Sequence, residues 1–124
     1  MGWTLPISDT RKWKIKKPAN EILEIIKIEL YRKNATLIES NSKRIIATLG
    51  SETRTRLFGG AFVSKVTLPV KITLQMNESV NETEIDATIQ DNLGAGFRIG
   101  MRGKYREYIN DLFNLLSEVL VAKY

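Results

Sequence analysis

Between Asp91 and Arg106 the sequence reads DNLGAGFRIGMRGKYR, which sets Gly94, Gly96 and Gly100 ahead of Arg102, Lys104 and Arg106, with Arg98 among them. Glycines leave main-chain N–H groups bare, and guanidinium groups bind carboxylate and phosphate oxygens in pairs, so the chemistry on offer is anion binding. A helix beginning near Arg102 carries partial positive charge at that end and ordinarily attracts Asp or Glu there. Four cations stand against that field. Gly94, Gly96, Arg98, Arg102, Lys104 and Arg106 therefore form a candidate anion site. The plainer reading is that the glycines turn the chain from sheet to helix while Asp91 and Glu107 temper the cations. The segment is not a dinucleotide fingerprint, because its third glycine falls one place late, and no Gly-Lys-Ser/Thr follows to make a P-loop.

A second constellation lies in RKWKIKK, where Trp13 and Ile15 stand among Arg11, Lys12, Lys14, Lys16 and Lys17. Lysines hold phosphates and an aromatic ring stacks on a base, so these residues, with Arg54 and Arg56 further on, form a candidate nucleic-acid surface. The same alternation fits a strand at a sheet edge, where lysines discourage aggregation. Of the net charge of +5, four units arise within residues 1–17, whose acidic residue is Asp9, and the remainder is nearly neutral. A basic balance concentrated in one short arm argues for nucleic acid more weakly than a basic folded face does.

A third set, Glu82, Glu84 and Asp86, alternates along a strand at spacings of about 7 Å, a geometry that suits Mg²⁺ or a carboxylate pair. Nothing around it indicates a dry pocket, and a solvated strand face explains it as well. The chain has no histidine and no cysteine, which removes imidazole and thiolate chemistry, disulfides, and the metal sites built on those ligands. No catalytic residue, metal or cofactor is expected. An enzyme acting on an anionic substrate at Gly94–Gly100 is the remaining catalytic alternative.

These residues need elements to position them. At 124 residues and 43% hydrophobic content, the chain suits a basic amino-terminal arm or edge strand over residues 1–17 and one α+β domain over 18–124. Pro18, the acids Glu21 and Glu24 and the cations Arg32 and Lys33 predict a helix over 19–33. Its buried stripe is Ile22, Leu23, Ile26 and Leu30, widened by Ile25, Ile28 and Tyr31, and Asn34 ends it. Short runs at 35–39, 43–49 and 53–58, separated by turn residues, predict antiparallel hairpins.

From Val66 to Met76 apolar residues alternate with polar ones, with Pro69 marking an edge or a bulge. The next strand turns Thr83, Ile85, Ala87 and Ile89 inward. Pairing Leu74 with Ile85 and Ile72 with Ala87 keeps both apolar faces together, and sets Lys71 near Asp86 and Thr88. Apolar residues from Tyr105 to Leu120 at spacings of three and four predict a closing helix from about Arg102.

The expected fold is thus two-layer α+β: an N-terminal helix, a four- to five-stranded antiparallel meander sheet, and a C-terminal helix packed on the same sheet face. This element order resembles the helix-grip and TATA-box-binding-like architectures. No diagnostic motif accompanies it, so the resemblance implies fold and not activity. No apolar run approaches the ~20 residues that span a bilayer, and a cytoplasmic location is expected. The functional expectation is a small non-catalytic domain that binds a protein or small anionic ligand through its open sheet or the concavity under the closing helix. The alternative is a nucleic-acid-binding module. The oligomeric state is open, and a homodimer through a sheet edge is compatible with the pattern.

Overall fold

Strict alternation from Val70 to Ser79 and from Glu82 to Asp91 builds the centre of the sheet. The computed structural model describes residues 7–50, 68–92 and 102–122, and the strands and helices follow in the order β1 (Ser8–Ile15), α1 (Ala19–Arg32), β2 (Thr36–Ser40), β3 (Arg44–Leu49), β4 (Val70–Ser79), β5 (Glu82–Asp91) and α2 (Arg102–Ser117). A π-helical turn, Glu118–Ala122, extends α2. The strands form one sheet in the order β1-β5-β4-β3-β2, every neighbouring pair antiparallel. This is the expected α+β architecture, with five strands. Among the described residues no helix is long and apolar enough to cross a membrane.

Period-two alternation gives the sheet one dry face. Ile45, Ala47, Ile72, Leu74, Ile85, Ala87 and Ile89 are all at most 2% exposed. Both helices cover this face: Ile22, Ile26 and Leu30 of α1 and Tyr105, Ile109, Leu112, Phe113 and Leu116 of α2 join the strand residues in a single apolar cluster. Tyr105 donates its hydroxyl proton to the Pro69 carbonyl at 3.0 Å, which satisfies a phenol that packing hides completely. The expected widening of α1 holds in part at Ile25, which is half-buried, and fails at the other two positions. Ile28 and Tyr31 are 51% and 60% exposed, because a single sheet face covers only one side of the helix.

The β4–β5 register also differs from expectation. Met76 faces Ile85, Leu74 faces Ala87 and Ile72 faces Ile89, two residues away from the pairing that the sequence suggests. Asn81 is the cause. The two-residue turn Val80-Asn81 needs a left-handed backbone at its second position, where Asn81 has φ 65°. The sequence-based pairing sets β-branched Val80 at that position, which sterics disfavour. Lys71 consequently faces Gln90, and Asp86 lies between Gln75 and Lys12. Pro69 precedes β4 and needs no ladder donor there, so β4 is a central strand without a proline bulge.

Polar side chains at the ends of the dry face fix the connections. Helix α1 begins after Pro18, which has no side-chain cap to offer. Its first N–H, on Ala19, is taken instead by the Glu78 carboxylate of β4 at 3.1 Å, and Thr83, 0% exposed, donates its hydroxyl to the Lys17 carbonyl at 2.8 Å. At the other end of the helix Asn34 is left-handed (φ 59°). Its N–H and that of Ala35 bond back to the carbonyls of Tyr31 and Leu30, closing the helix. At the far end of β5 the Asp91 carboxylate accepts the Ile7 N–H at 2.6 Å, while the Asp91 N–H donates to the Ile7 carbonyl at 2.9 Å.

Two predictions follow from this packing. Glu78→Ala is expected to lower the unfolding free energy by about 1 kcal/mol, the worth of a helix cap, and Glu78→Gln, which keeps an acceptor, by less. Urea midpoints measure both, and equal stability of all three proteins would sink the capping role. Burial, with Asp111 adding a smaller contribution, pushes the Tyr108 phenol above its ordinary value. The folded chain then keeps this phenol neutral where the unfolded chain ionises, so stability holds below about pH 10 and declines as the pH rises past it. In Tyr108→Phe the loss between pH 9 and 11 should be smaller than in the unaltered protein; an identical loss would refute the assignment.

Candidate functional site

The start of β1 and the first turns of α2 diverge and leave a cleft of about 560 Å³ between them. Ile7 and Ile109, both buried, form its floor. Ser8 and Asp9 line it from β1, and Arg106, Glu107 and Asn110 line it from α2. These five are exposed, so polar groups surround an apolar base. Spacing explains the gathering on the helix side: Arg106, Ile109 and Asn110 lie three and four residues apart on one face.

The depth of the cleft is set just beyond it. Arg11 turns toward α2, donates from Nη2 to the Asn110 Oδ1 at 2.7 Å, and places its guanidinium 4.7 Å from the centre of the Phe113 ring. Trp13 packs on the same ring from the side, with centroids 6.3 Å apart. These contacts clamp β1 to α2 at Arg11 and Trp13. Arg106 makes no hydrogen bond or ion pair among the described residues. Helix α2 has no acidic residue in its first turn. The Asp9 Oδ1 accepts the N–H of Thr10 at 2.9 Å, which holds that carboxylate at the strand edge.

Of the candidate anion residues, Arg106 lines the cleft and Lys104 is half-buried one turn ahead of Tyr108. Gly94, Gly96 and Arg98, and the side chain of Arg102, lie outside the described residues. Of the candidate nucleic-acid residues, Arg54 and Arg56 likewise lie outside them. The others separate by strand parity. Arg11 and Trp13 are on the side that α2 covers, whereas Lys12, Lys14 and Lys16 are exposed on the opposite side or beyond the strand. Lys12 pairs with Asp86 at 3.5 Å and Lys17 with Glu21 at 3.5 Å.

The carboxylate row of β5 meets polar and basic neighbours: Asp86 stands between Lys12 and Gln75, and Glu84 between Lys14 and Asn77. Among the described residues no group of three possible ligands is gathered for a metal ion. Between α1, the sheet and α2 the described residues pack closely. Leu30, Leu49, Ile72, Leu112 and Leu116 leave a gap of about 10 Å³ there, about the room of one water molecule. Charge displacement is also found away from the cleft. Paired hydrogen bonds from Arg44, at 2.9 and 3.1 Å, hold the Glu39 carboxyl below its usual range and raise Arg44 in turn.

Sequence reasoning singled out Arg106 but not Ser8, Asp9 or Asn110. Asp9 did carry a signal, as the lone acid in a basic arm. Asn110 carried none, because an asparagine on the wet side of a helix is unremarkable until the chain folds a strand from 99 residues away against it.

No family model matches the chain, and no curated protein matches it. Solved structures do resemble it. Protein MLL2253 from Mesorhizobium loti is similar with a TM-score of 0.59 at 11% identity, over 92% of this chain and 96% of that one. Ara h 8.0201 aligns over 95% of this chain and 99% of its own at 8% identity and a TM-score of 0.47, and DR_A0006 from Deinococcus radiodurans over 94% and 99% at 11% and 0.38. At such identities the likeness to MLL2253 is one of fold: the chain adopts a helix-grip type of α+β architecture, a sheet held along one face by its closing helix.

Proposed function

We propose that this chain is a non-catalytic binding domain that takes a carboxylate-bearing ligand in the cleft between β1 and α2. The observation that carries the reading is the lining of that cleft. Its volume of about 560 Å³ lies within the range of small-molecule sites. The Ile7–Ile109 floor suits an apolar body, Ser8 and Asn110 offer hydrogen bonds, and Arg106 supplies a guanidinium that no described residue occupies. A forked guanidinium matches the two oxygens of a carboxylate. Asp9 and Glu107 stand on the same rim and repel a multiply charged anion, so one carboxylate suits the lining better than a polyphosphate does.

The non-catalytic part of the reading rests on chemistry rather than on shape. With no histidine or cysteine in the chain, general base and nucleophile would have to come from carboxylates, lysines or hydroxyls. Among the described residues, those whose ionisation is displaced, Glu39, Arg44 and Tyr108, do not line the cleft.

Titration with acetate, succinate and benzoate, followed by backbone amide NMR, should move the signals of Ser8, Asp9, Arg106 and Asn110 together and saturably. Arg106→Ala should weaken the tightest of these by about tenfold or more, the worth of a hydrogen bond to a charged group. Inorganic phosphate should bind more weakly than benzoate, which carries a single carboxylate. Absence of saturable shifts at the cleft with all three carboxylates would end this reading.

A further inference from the structure

The two edges of the sheet are unlike. Strand β2 is five residues long and its ladder slips at Ile38, with Leu37 facing Ala47 and Glu39 facing Ile46. A short, bulged edge resists further pairing. Strand β1 is eight residues long and pairs with β5 in unbroken register from Ser8↔Gln90 to Ile15↔Thr83. Nothing in its shape stops another strand from adding to it.

The direction of its main-chain groups follows from one bond. In an antiparallel ladder, residues alternate between turning both N–H and C=O to the partner and turning both away. Because Asp91 donates its N–H to the Ile7 carbonyl, Asp9, Arg11, Trp13 and Ile15 turn toward β5, in step with Ile7. Ser8, Thr10, Lys12 and Lys14 therefore turn theirs outward. The Asp9 side chain confirms this geometry by capping the outward N–H of Thr10. The outward groups of Ser8, Lys12 and Lys14 have no hydrogen-bond partner among the described residues, and all three residues are exposed.

Charge selects the occupant. A second copy adding its own β1 would set Arg11, Lys12 and Lys14 against the same residues, and like charges opposed across strands destabilise. An acidic strand meets the reverse situation. Lys14 and Lys16 make no ion pair among the described residues, and Arg106 waits at the cleft where the strand begins. We propose that β1 accepts an extended acidic peptide segment of a partner protein as a sixth strand, its main chain on Ser8, Lys12 and Lys14 and its carboxylates on Lys14, Lys16 and Arg106. The proposal rests on the cleft reading for its anchoring carboxylate, and main-chain addition at an edge is a general mode of peptide recognition.

The test uses an acetylated and amidated octapeptide of alternating Glu and Thr, with its Lys/Thr counterpart as control. Amide hydrogen exchange on the intact chain is the readout. The acidic peptide at saturation should slow exchange of the Ser8, Lys12 and Lys14 amides by at least about tenfold, and the lysine peptide should leave them unchanged. Lys14→Pro removes an outward donor without touching the β5 ladder and should weaken the peptide by about tenfold, while Lys14→Thr, which loses charge alone, should weaken it less. Should the proline variant fail to fold, the wild-type exchange pattern decides by itself. Chemical shifts without slowed exchange, equal binding of the lysine peptide, or tighter binding of a single-stranded oligonucleotide than of the acidic peptide would each overturn the proposal. Succinate moving the cleft signals while the acidic peptide leaves the β1 amides unprotected would overturn strand addition and keep the cleft.

Discussion

The β4–β5 ladder is the constraint on which the remainder of the fold depends. It pairs all ten residues of each strand around a two-residue turn, and it occupies the centre of the sheet, with β3 on one side and β1 on the other. Side chains alternate across a strand, so a slip of one residue would carry Ile72, Leu74, Ile85 and Ala87 from the core face to water. Burying an aliphatic side chain stabilises by about 1.5–3 kcal/mol, so such a slip costs far more than any single hydrogen bond returns. A slip of two residues keeps every face intact. Against that error hydrophobicity is silent, and the left-handed position of Asn81 decides.

Once the ladder is set, its ends become attachment points. The core face of a strand is apolar in its middle, yet at both ends of this hairpin a polar side chain points to the core side. Glu78 and Thr83 lie directly opposite each other at one end, and both bind the connection between β1 and α1. Asp91 holds the start of β1 at the other end, and the Pro69 carbonyl beside it receives Tyr105 from α2. Buried polar groups left unpaired cost roughly 1–3 kcal/mol each, so these positions accept only a chain path that satisfies them. Register in the hairpin thereby becomes the position of both helices and of β1.

How much of this is legible in the sequence depends on which force does the deciding. Alternation and helical spacing mark what is apolar, so the strand faces, the stripe of α2 and its start near Arg102 are readable. Pairings that share parity are not, which is why the sequence sets Leu74 against Ile85 instead of Ala87 and Lys71 near Asp86 and Thr88 instead of against Gln90. Ile28 and Tyr31 misled because an apolar residue is no guarantee of a partner; a fold with one helix layer has nothing to set on the outer side of α1. The glycine and arginine junction drew notice through its charge. Of that group Arg106 lines the cleft, and its neighbours Ser8 and Asp9 come from the opposite end of the chain. A site assembled by a strand and a helix so far apart in sequence leaves no spacing to recognise.

The basic arm acquires a different meaning when its parity is resolved. As a sequence, RKWKIKK gathers five cations around an aromatic residue and suggests a single surface. As a strand it is divided. Arg11 and Trp13 turn inward and are engaged with Asn110 and Phe113, so their charge and ring serve the seam between β1 and α2. Lys12 and Lys14 turn outward, opposite Asp86 and Glu84 of β5. Lys12 pairs with Asp86, Lys14 makes no ion pair among the described residues, and the outward main-chain groups of Ser8, Lys12 and Lys14 have no partner among them. A lysine-bearing edge repels its own copies and does not repel an acid, so the charge that opposes pairing of two such edges does not oppose an acidic strand.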